Sequence, residues 1–306
     1  MLLALTACSD SIGEAPAGDE TSGELTTLAY NVAGLPQEVS QVSPREHIPL
    51  ISPLLNDYDV VLTQEDFDWW QPNLDQFDFV NYRSRLRSRV DHPYQSERHP
   101  GPEAVGIDVA TERPMLQVGD GLGILSRFPF DEFRRVPWKT CGESAADCLA
   151  IKGFAMAHVE LASGLIVDVY NLHADAGSAD SDIAARAAGF EQLAAYIEEH
   201  SDGHAIILGG DTNLHTDPES DDPLEKGDAR LWETFLKRSG LVDVCNALAC
   251  GDPTRIDKFA FRSGGGIKLM PLSWKFEAEK FRDAGGQPLS DHDALAVRWR
   301  WSATRE

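Results

Sequence analysis

Apolar and polar positions along the chain fall into short segments of two periods. Eight segments are brief, rich in β-branched or alternating apolar residues, and bounded by turn formers: Leu25–Asn31, Asp59–Thr63, Leu122–Leu125, Phe154–Leu161, Leu165–Tyr170, Ala205–Leu208, Ile256–Phe261 and Ala294–Trp301. They predict β-strands. Ile183–His200 instead repeats apolar residues at helical spacing, through Ala187, Phe190, Ala194 and Ile197, with Ser181 or Asp182 as cap and Gly203 beyond its end. Arg45–Asn56 and Ala229–Arg238 predict two further helices. Strands and helices mixed in this order predict an α/β sandwich, and no internal repeat is visible.

The strands share a habit of stopping on polar residues. In His204–Asn213, HAIILGGDTN, an apolar run ends at a glycine pair and delivers Asp211 and Asn213 two positions apart, which in extended chain places them on one face. Asp, Asn and Gly also dominate turns, so the segment alone reads equally as a strand-end turn. Its company shifts the balance: Asn31 follows LTTLAY, Gln64 and Glu65 follow DVVLT, Asn171 and His173 follow LIVDVY, and Asp257 and the Ser290-Asp291-His292 triplet complete the set. Laid side by side, such strands would converge on one cleft crowded with carboxylates, imidazoles and amides. Buried carboxylates are costly unless compensated, and a set dominated by oxygen donors suits Mg²⁺ or Mn²⁺ better than zinc.

Composition bounds what this cleft belongs to. With 306 residues, 42% of them hydrophobic, and seven tryptophans, the chain can bury one large core, and residues 25–306 read as a single domain. Fifty acidic against 27 basic residues leave a formal charge of -23, which disfavours polyanions over most of the surface, although a cation and a local basic patch would offset this field. Met1–Cys8, MLLALTAC, resembles a lipobox in which Cys8 is lipidated, though a charged leader is missing; the alternative is an incidental apolar terminus. Residues 1–24 therefore read as a signal remnant and an acidic tether. Cys141 with Cys148 and Cys245 with Cys250 form two close pairs without zinc-type spacing, consistent with local disulfides in an exported protein or with four free thiols.

The ordered segments YNVAGLP (30–36), QE (64–65), DGLGILSRFP (120–129), NLHAD (171–175), GDTN (210–213), RID (255–257) and SDHDAL (290–295) together resemble the endonuclease/exonuclease/phosphatase superfamily of metal-dependent phosphohydrolases, over residues 25–299. Within it the chain is most similar to neutral sphingomyelinases. The resemblance implies a DNase I-like, four-layered α/β sandwich with two packed, mostly antiparallel sheets flanked by helices. It also implies roles. Glu65, with Asn31 and Asp291, would bind Mg²⁺ or Mn²⁺; His292 would be the general base, oriented by Asp257; Asp211 would orient the water or ligate metal; Asn213 and His173 would stabilise charge on the phosphoryl group, His173 alternatively protonating the leaving oxygen.

Asp120 is expected to orient His173, and Lys152 to bring positive charge near the phosphate or to sit solvated in a loop. The Arg-rich stretch 82–99 would set alternate arginines, Arg83 and Arg85 among them, on one face of an extended segment, either as an anion site or as a solvated hairpin. Trp69 and Trp70 are core or an interfacial pair. The implied activity is phosphodiester hydrolysis by a monomeric, exported, lipid-anchored or secreted enzyme, on a phospholipid headgroup or small phosphodiester. An exported DNase I-like nuclease and a non-catalytic surface lipoprotein of the same fold are the alternatives.

Overall fold

The computed structural model describes residues 21–38, 40–67, 82–108, 118–142, 147–217, 220–251 and 255–304. Cys8 with its apolar leader, most of the acidic tether, and Trp69 and Trp70 lie outside the described residues. In chain order the strands are β1 (Ser22–Asn31), β2 (Val60–Gln64), β3 (Tyr94–Gln95), β4 (Gly123–Ser126), β5 (Phe130–Pro137), β6 (Gly153–Ala162), β7 (Leu165–His173), β8 (Ala205–Asp211), β9 (Val242–Asp243), β10 (Asp257–Arg262), β11 (Ile267–Phe276) and β12 (Leu295–Ala303). The helices are α1 (Pro44–Leu54), α2 (Tyr82–Arg87), α3 (Asp180–His200), α4 (Pro223–Ser239) and α5 (Val244–Leu248).

The strands make two sheets of six, ordered β11-β12-β1-β2-β4-β3 and β5-β6-β7-β8-β10-β9. Every pairing is antiparallel except β1–β2 and β7–β8. A parallel pair requires a crossover, and the connections carrying α1 and α3 provide it. The strand period then sorts side chains between layers. Leu25, Ala29, Val60 and Leu62 of one sheet meet Val159, Val167, Val169, Ile207 and Phe259 of the other in a shared core. The alternate residues face outward: Tyr170, Leu172, Ile206 and Leu208 take Phe190, Leu193 and Ile197 of α3 and Trp232 of α4, while Leu28, Tyr30 and Val61 take Ile48 and Ile51 of α1 and Leu86 of α2. Helices, sheet, sheet and helices are the four layers the sequence implies.

The two sheets are also pinned by buried polar groups. Asn171 donates to the carbonyls of Thr63 and Gly123, each at 2.9 Å, and accepts from Gln64 Nε2 at 2.6 Å. Its side chain crosses from β7 to β2 and β4, so Asn171 and Gln64 serve the fold rather than the cleft.

Several elements differ from the sequence reading. β5 and β11 are unpredicted, and both are edge strands: FDEFRRVP is charged, and Pro271 marks a register shift in β11. Edges tolerate proline and charge, which dilutes the alternation that identifies inner strands. β1 begins at Ser22, pairing Ser22–Glu24 with Ser302, Trp301 and Arg300, so the acidic tether ends before residue 24. α3 begins at Asp180, where Asp182 Oδ2 accepts from Ala179 N at 3.1 Å. The Arg-rich stretch starts as helix α2, in which positions two apart diverge by about 200°, so Arg83 and Arg85 do not share a face. Both expected disulfides, Cys141–Cys148 and Cys245–Cys250, are present. No helix among the described residues is long and apolar enough to cross a membrane.

Candidate active site

The parallel pairs decide where the polar residues gather. Side chains at the carboxyl ends of parallel strands face a common crevice: Asn31 ends β1 opposite Gln64 of β2, and His173 ends β7 opposite Asp211 of β8. Glu65 follows β2 directly. Asp257 opens the antiparallel strand β10 in register with Asp211, and His292 arrives from the loop before β12.

Asn31 is the hub. Its Nδ2 lies 3.0 Å from Glu65 Oε1, 3.1 Å from Asp211 Oδ2 and 3.4 Å from His292 Nε2, while its Oδ1 accepts from Ala33 N at 3.0 Å. His292 Nδ1 bonds Asp257 Oδ2 at 2.8 Å, which turns Nε2 toward Asp211 Oδ2 at 3.7 Å. His173 Nε2 sits 3.4 Å from the same Asp211 oxygen and 4.0 Å from Glu65 Oε1. Asp211, Asp257 and His292 each offer an atom within 4.8 Å of the others. One aspartate, two imidazoles, one glutamate and one amide therefore share a single small volume.

The backbone is bent to achieve this. Glu65 (φ 53°), Asn213 (φ 49°) and Ala33 (φ 49°) all occupy the left-handed region that non-glycine residues enter rarely, and such strain persists where surrounding structure enforces it. At Gly34, a Cβ would strike the carbonyl of Glu65, so the glycine of YNVAGLP is what lets Glu65 approach Asn31. β8 ends at Asp211, whose Oδ1 accepts from Asn213 N at 2.9 Å. Asn213 therefore lies in a turn, not on the extended face its spacing suggested, and its amide donates to Ala174 O at 3.0 Å. Ser290 Oγ fastens the loop by donating to Asn31 O at 2.7 Å and accepting from His292 N at 3.2 Å.

Charge is unevenly shared. Burial opposes protonation of His292, but the carboxylates of Asp257 and Asp211 outweigh it and push its pKa up to about 10. His173 is 1% exposed, and burial together with the Lys152 ammonium holds it well below the usual imidazole range, hence neutral. Burial raises Glu65 and Asp257 against the pull of Lys152 and His292 respectively. Asp211 is kept low: burial opposes its charge, but His292, His173 and Lys152 prevail.

Lys152 is buried, not a solvated loop residue. Its Nζ contacts Asp147 Oδ1 at 2.5 Å and donates to Ala174 O at 3.3 Å, and burial is overcome by Asp147, which keeps the ammonium charged. Asp147, beside Cys148, carries no sequence signal for this pairing. Asp291 is exposed next to the cluster, accepts from Ser290 Oγ at 3.3 Å, and its charge acts on Glu65 and His292. Asp120 is held by Arg135 at 2.5 Å and by Leu122 N at 3.0 Å, so it does not orient His173. Arg83 donates to Ser96 O and Arg85 to Arg45 O at 3.2 Å, so neither printed bond places a guanidinium at the cluster. Positive charge comes instead from Lys152 and from a cavity of about 530 Å³ that shares Asp257 as a wall and is lined by Lys226, Arg230, Arg255 and Lys258.

Comparison with known proteins agrees with this arrangement. The chain is 31% identical over 308 residues to the sphingomyelinases of Mycobacterium bovis and Mycobacterium tuberculosis, an alignment covering 95% of this chain and 56% of theirs, so it spans about half the length of the curated relatives it matches. Its fold is similar to a double mutant of a beta toxin from Staphylococcus aureus solved with bound magnesium ions, at a TM-score of 0.61, 16% identity, and coverage of 92% of this chain and 100% of that one. It is likewise similar to sphingomyelinase C from Streptomyces griseocarneus, at a TM-score of 0.57, 18% identity, and coverage of 90% and 99%. Residues 28–292, from mid-β1 to His292, match the family described as Endonuclease/Exonuclease/phosphatase. The chain belongs to the Endonuclease/Exonuclease/phosphatase family.

Proposed function

We propose that the protein is a divalent-metal-dependent phosphodiesterase that releases a phosphorylated headgroup from a phospholipid in the manner of a sphingomyelinase C. The single observation that carries the chemistry is the Asp257–His292 pair aimed at Asp211, with neutral His173 on the other side of the same carboxylate. Such a pair orients a base; the neutral imidazole opposite can donate to a phosphoryl oxygen.

The donor set fits a hard dication. Glu65, Asp211 and Asp257 bring three negative charges, His292 offsets one, and Lys152 is matched by Asp147, leaving a surplus of two. Glu65 and Asp211 would hold Mg²⁺ or Mn²⁺ with Asp291 at the rim, while Asn31 turns its amide nitrogen to both carboxylates and orders them. When bound, such an ion polarises a phosphoryl oxygen as a Lewis acid. The chain's own residues then handle the proton. Asp211 accepts a hydrogen bond from the attacking water, His292 Nε2 removes its proton as the water oxygen bonds phosphorus, and Asp257 stabilises the imidazolium. His173, with Asn213 once released from Ala174 O, donates to the phosphoryl oxygens while the ester P–O bond breaks.

The lipid substrate is supported by the 31% identity to sphingomyelinases, and the charge of -23 disfavours a nuclease. Two disulfides fit an exported protein, and we extend the proposal to a lipid anchor at Cys8. The test is a parallel assay with Mg²⁺ on sphingomyelin, phosphatidylcholine, inositol phosphates and plasmid DNA. Turnover of choline phospholipid is expected; turnover of DNA alone would reassign the enzyme as a nuclease, and no turnover of any would leave the third alternative, a binding protein.

A further inference from the structure

A second cluster of metal-ligating side chains lies at the opposite end of the second sheet. Asp168, near the start of β7, stands five residues from His173 along one strand, roughly 16 Å away at 3.3 Å per residue. It is completely buried. Its direct cross-strand partner on β6 is His158, and His204 immediately precedes β8. His204 Nδ1 is 2.9 Å from Asp168 Oδ2 and His158 Nε2 is 3.5 Å from Asp168 Oδ1, with the two imidazole rings edge to face at 6.3 Å.

Three features go beyond an ordinary strand-end ion pair. First, Asp168 Oδ1 and His158 Nε2 are both buried, face one another, and have no hydrogen-bond partner. Second, the nearby guanidinium of Arg262 is spent on the carbonyls of His204, Ser201 and Ser239, so a carboxylate with no exposure meets only imidazoles. Third, His158 Nδ1 is turned toward Asp131 Oδ1 at 3.9 Å, across β5. A carboxylate behind one ring nitrogen is the arrangement that presents the other nitrogen bare to a metal.

We propose that His158, Asp168 and His204 form a site for a transition-metal dication of the Zn²⁺ class, which clips together the ends of β6, β7 and β8 at the far side of the molecule from the catalytic cluster. Two imidazoles and a carboxylate suit such an ion better than Mg²⁺. Tetrahedral zinc with bonds near 2.0–2.1 Å sets its ligands about 3.3 Å apart, close to the His158–Asp168 separation. His204 has to back away by about half an ångström from its hydrogen bond to meet that spacing, and its side chain, 48% exposed, is free to do so while leaving a fourth position for water.

The site is tested on the whole protein, stripped with EDTA and returned to buffer with millimolar Mg²⁺. Wild type and the variants His204→Ala and His158→Gln are loaded with Zn²⁺, passed over a desalting column, and their bound zinc is counted; Co²⁺ loading is followed in parallel by visible absorption. Wild type is expected to retain one equivalent of zinc more than either variant, to show a Co²⁺ band that both lack, and to gain in Tm on zinc addition where they do not. Mg²⁺-supported hydrolysis of bis(p-nitrophenyl) phosphate stays within twofold of wild type in both. Equal zinc stoichiometry in wild type and His204→Ala, or an unchanged Co²⁺ spectrum, overturns the proposal and leaves a buried Asp–His hydrogen bond. His204 is half-exposed, so its variant folds and decides the matter even where His158→Gln does not.

Discussion

Replacing Asp257 by asparagine isolates the step on which the proposed mechanism turns. The substitution keeps size and one acceptor oxygen at Nδ1 of His292 but removes the charge 2.8 Å away. The shift of His292 from 6.5 to about 10 corresponds to roughly 5 kcal/mol of preference for the imidazolium, at about 1.4 kcal/mol per pH unit, and Asp257 supplies its largest favourable share, with Asp211 next. If Asp257 carries about half, its loss withdraws roughly 2–3 kcal/mol from the imidazolium that forms as water is deprotonated, or about 50- to 150-fold in kcat. The asparagine amide can also turn its NH₂ toward Nδ1 and stabilise the wrong tautomer, which in a serine-protease triad costs far more. The expected fall in kcat on bis(p-nitrophenyl) phosphate at saturating Mg²⁺ is therefore at least about 50-fold, with KM little changed. In metal-free protein, NMR titration of the His292 ring should show its midpoint lowered by about two pH units. Retention of kcat within threefold, or an unmoved His292 midpoint, would refute the coupling between Asp257 and the base.

His292→Ala should reduce kcat by about 10²–10⁴-fold with the circular dichroism spectrum unchanged, as expected for loss of a general base. Removing metal with EDTA should abolish turnover and Mg²⁺ should restore it, with Glu65→Gln shifting the Mg²⁺ dependence to higher concentration; full activity after chelation would exclude the proposed metal role. The stability of the metal-free protein should depend on His292 in a fixed direction. Because its folded pKa lies above the unfolded 6.5, its contribution is complete below pH 6.5 and is lost as pH rises toward 10, so urea unfolding midpoints should fall over that window in wild type and stay flat in His292→Gln. Lys152→Met leaves Asp147 buried without its cation and should cost about 3–5 kcal/mol in urea unfolding, whereas a change under 1 kcal/mol would show the pair to be dispensable.

The sequence by itself determined the inner strands, the long helices and the list of polar residues at the strand ends. Two-residue and 3.6-residue periods are local properties, and they are strongest where both faces of an element are buried, as in Ala205–Leu208 or along α3. The edges escaped it, since Pro271 and the charges of Phe130–Pro137 are permitted only where one side of a strand is unpaired. Residue types at strand ends were legible for a similar reason: a carboxylate or imidazole after an apolar run is conspicuous. Their partners were not. Gln64 and Asn171 resemble cleft residues in sequence, yet the packing of one sheet on the other spends both on an inter-sheet tie. Asp120 pairs with Arg135 instead of His173, Lys152 finds Asp147, and Asn213 turns left-handed to bond Ala174. Each of these choices is made between segments far apart in the chain, by distance and burial, and only the tertiary structure brings those segments within reach.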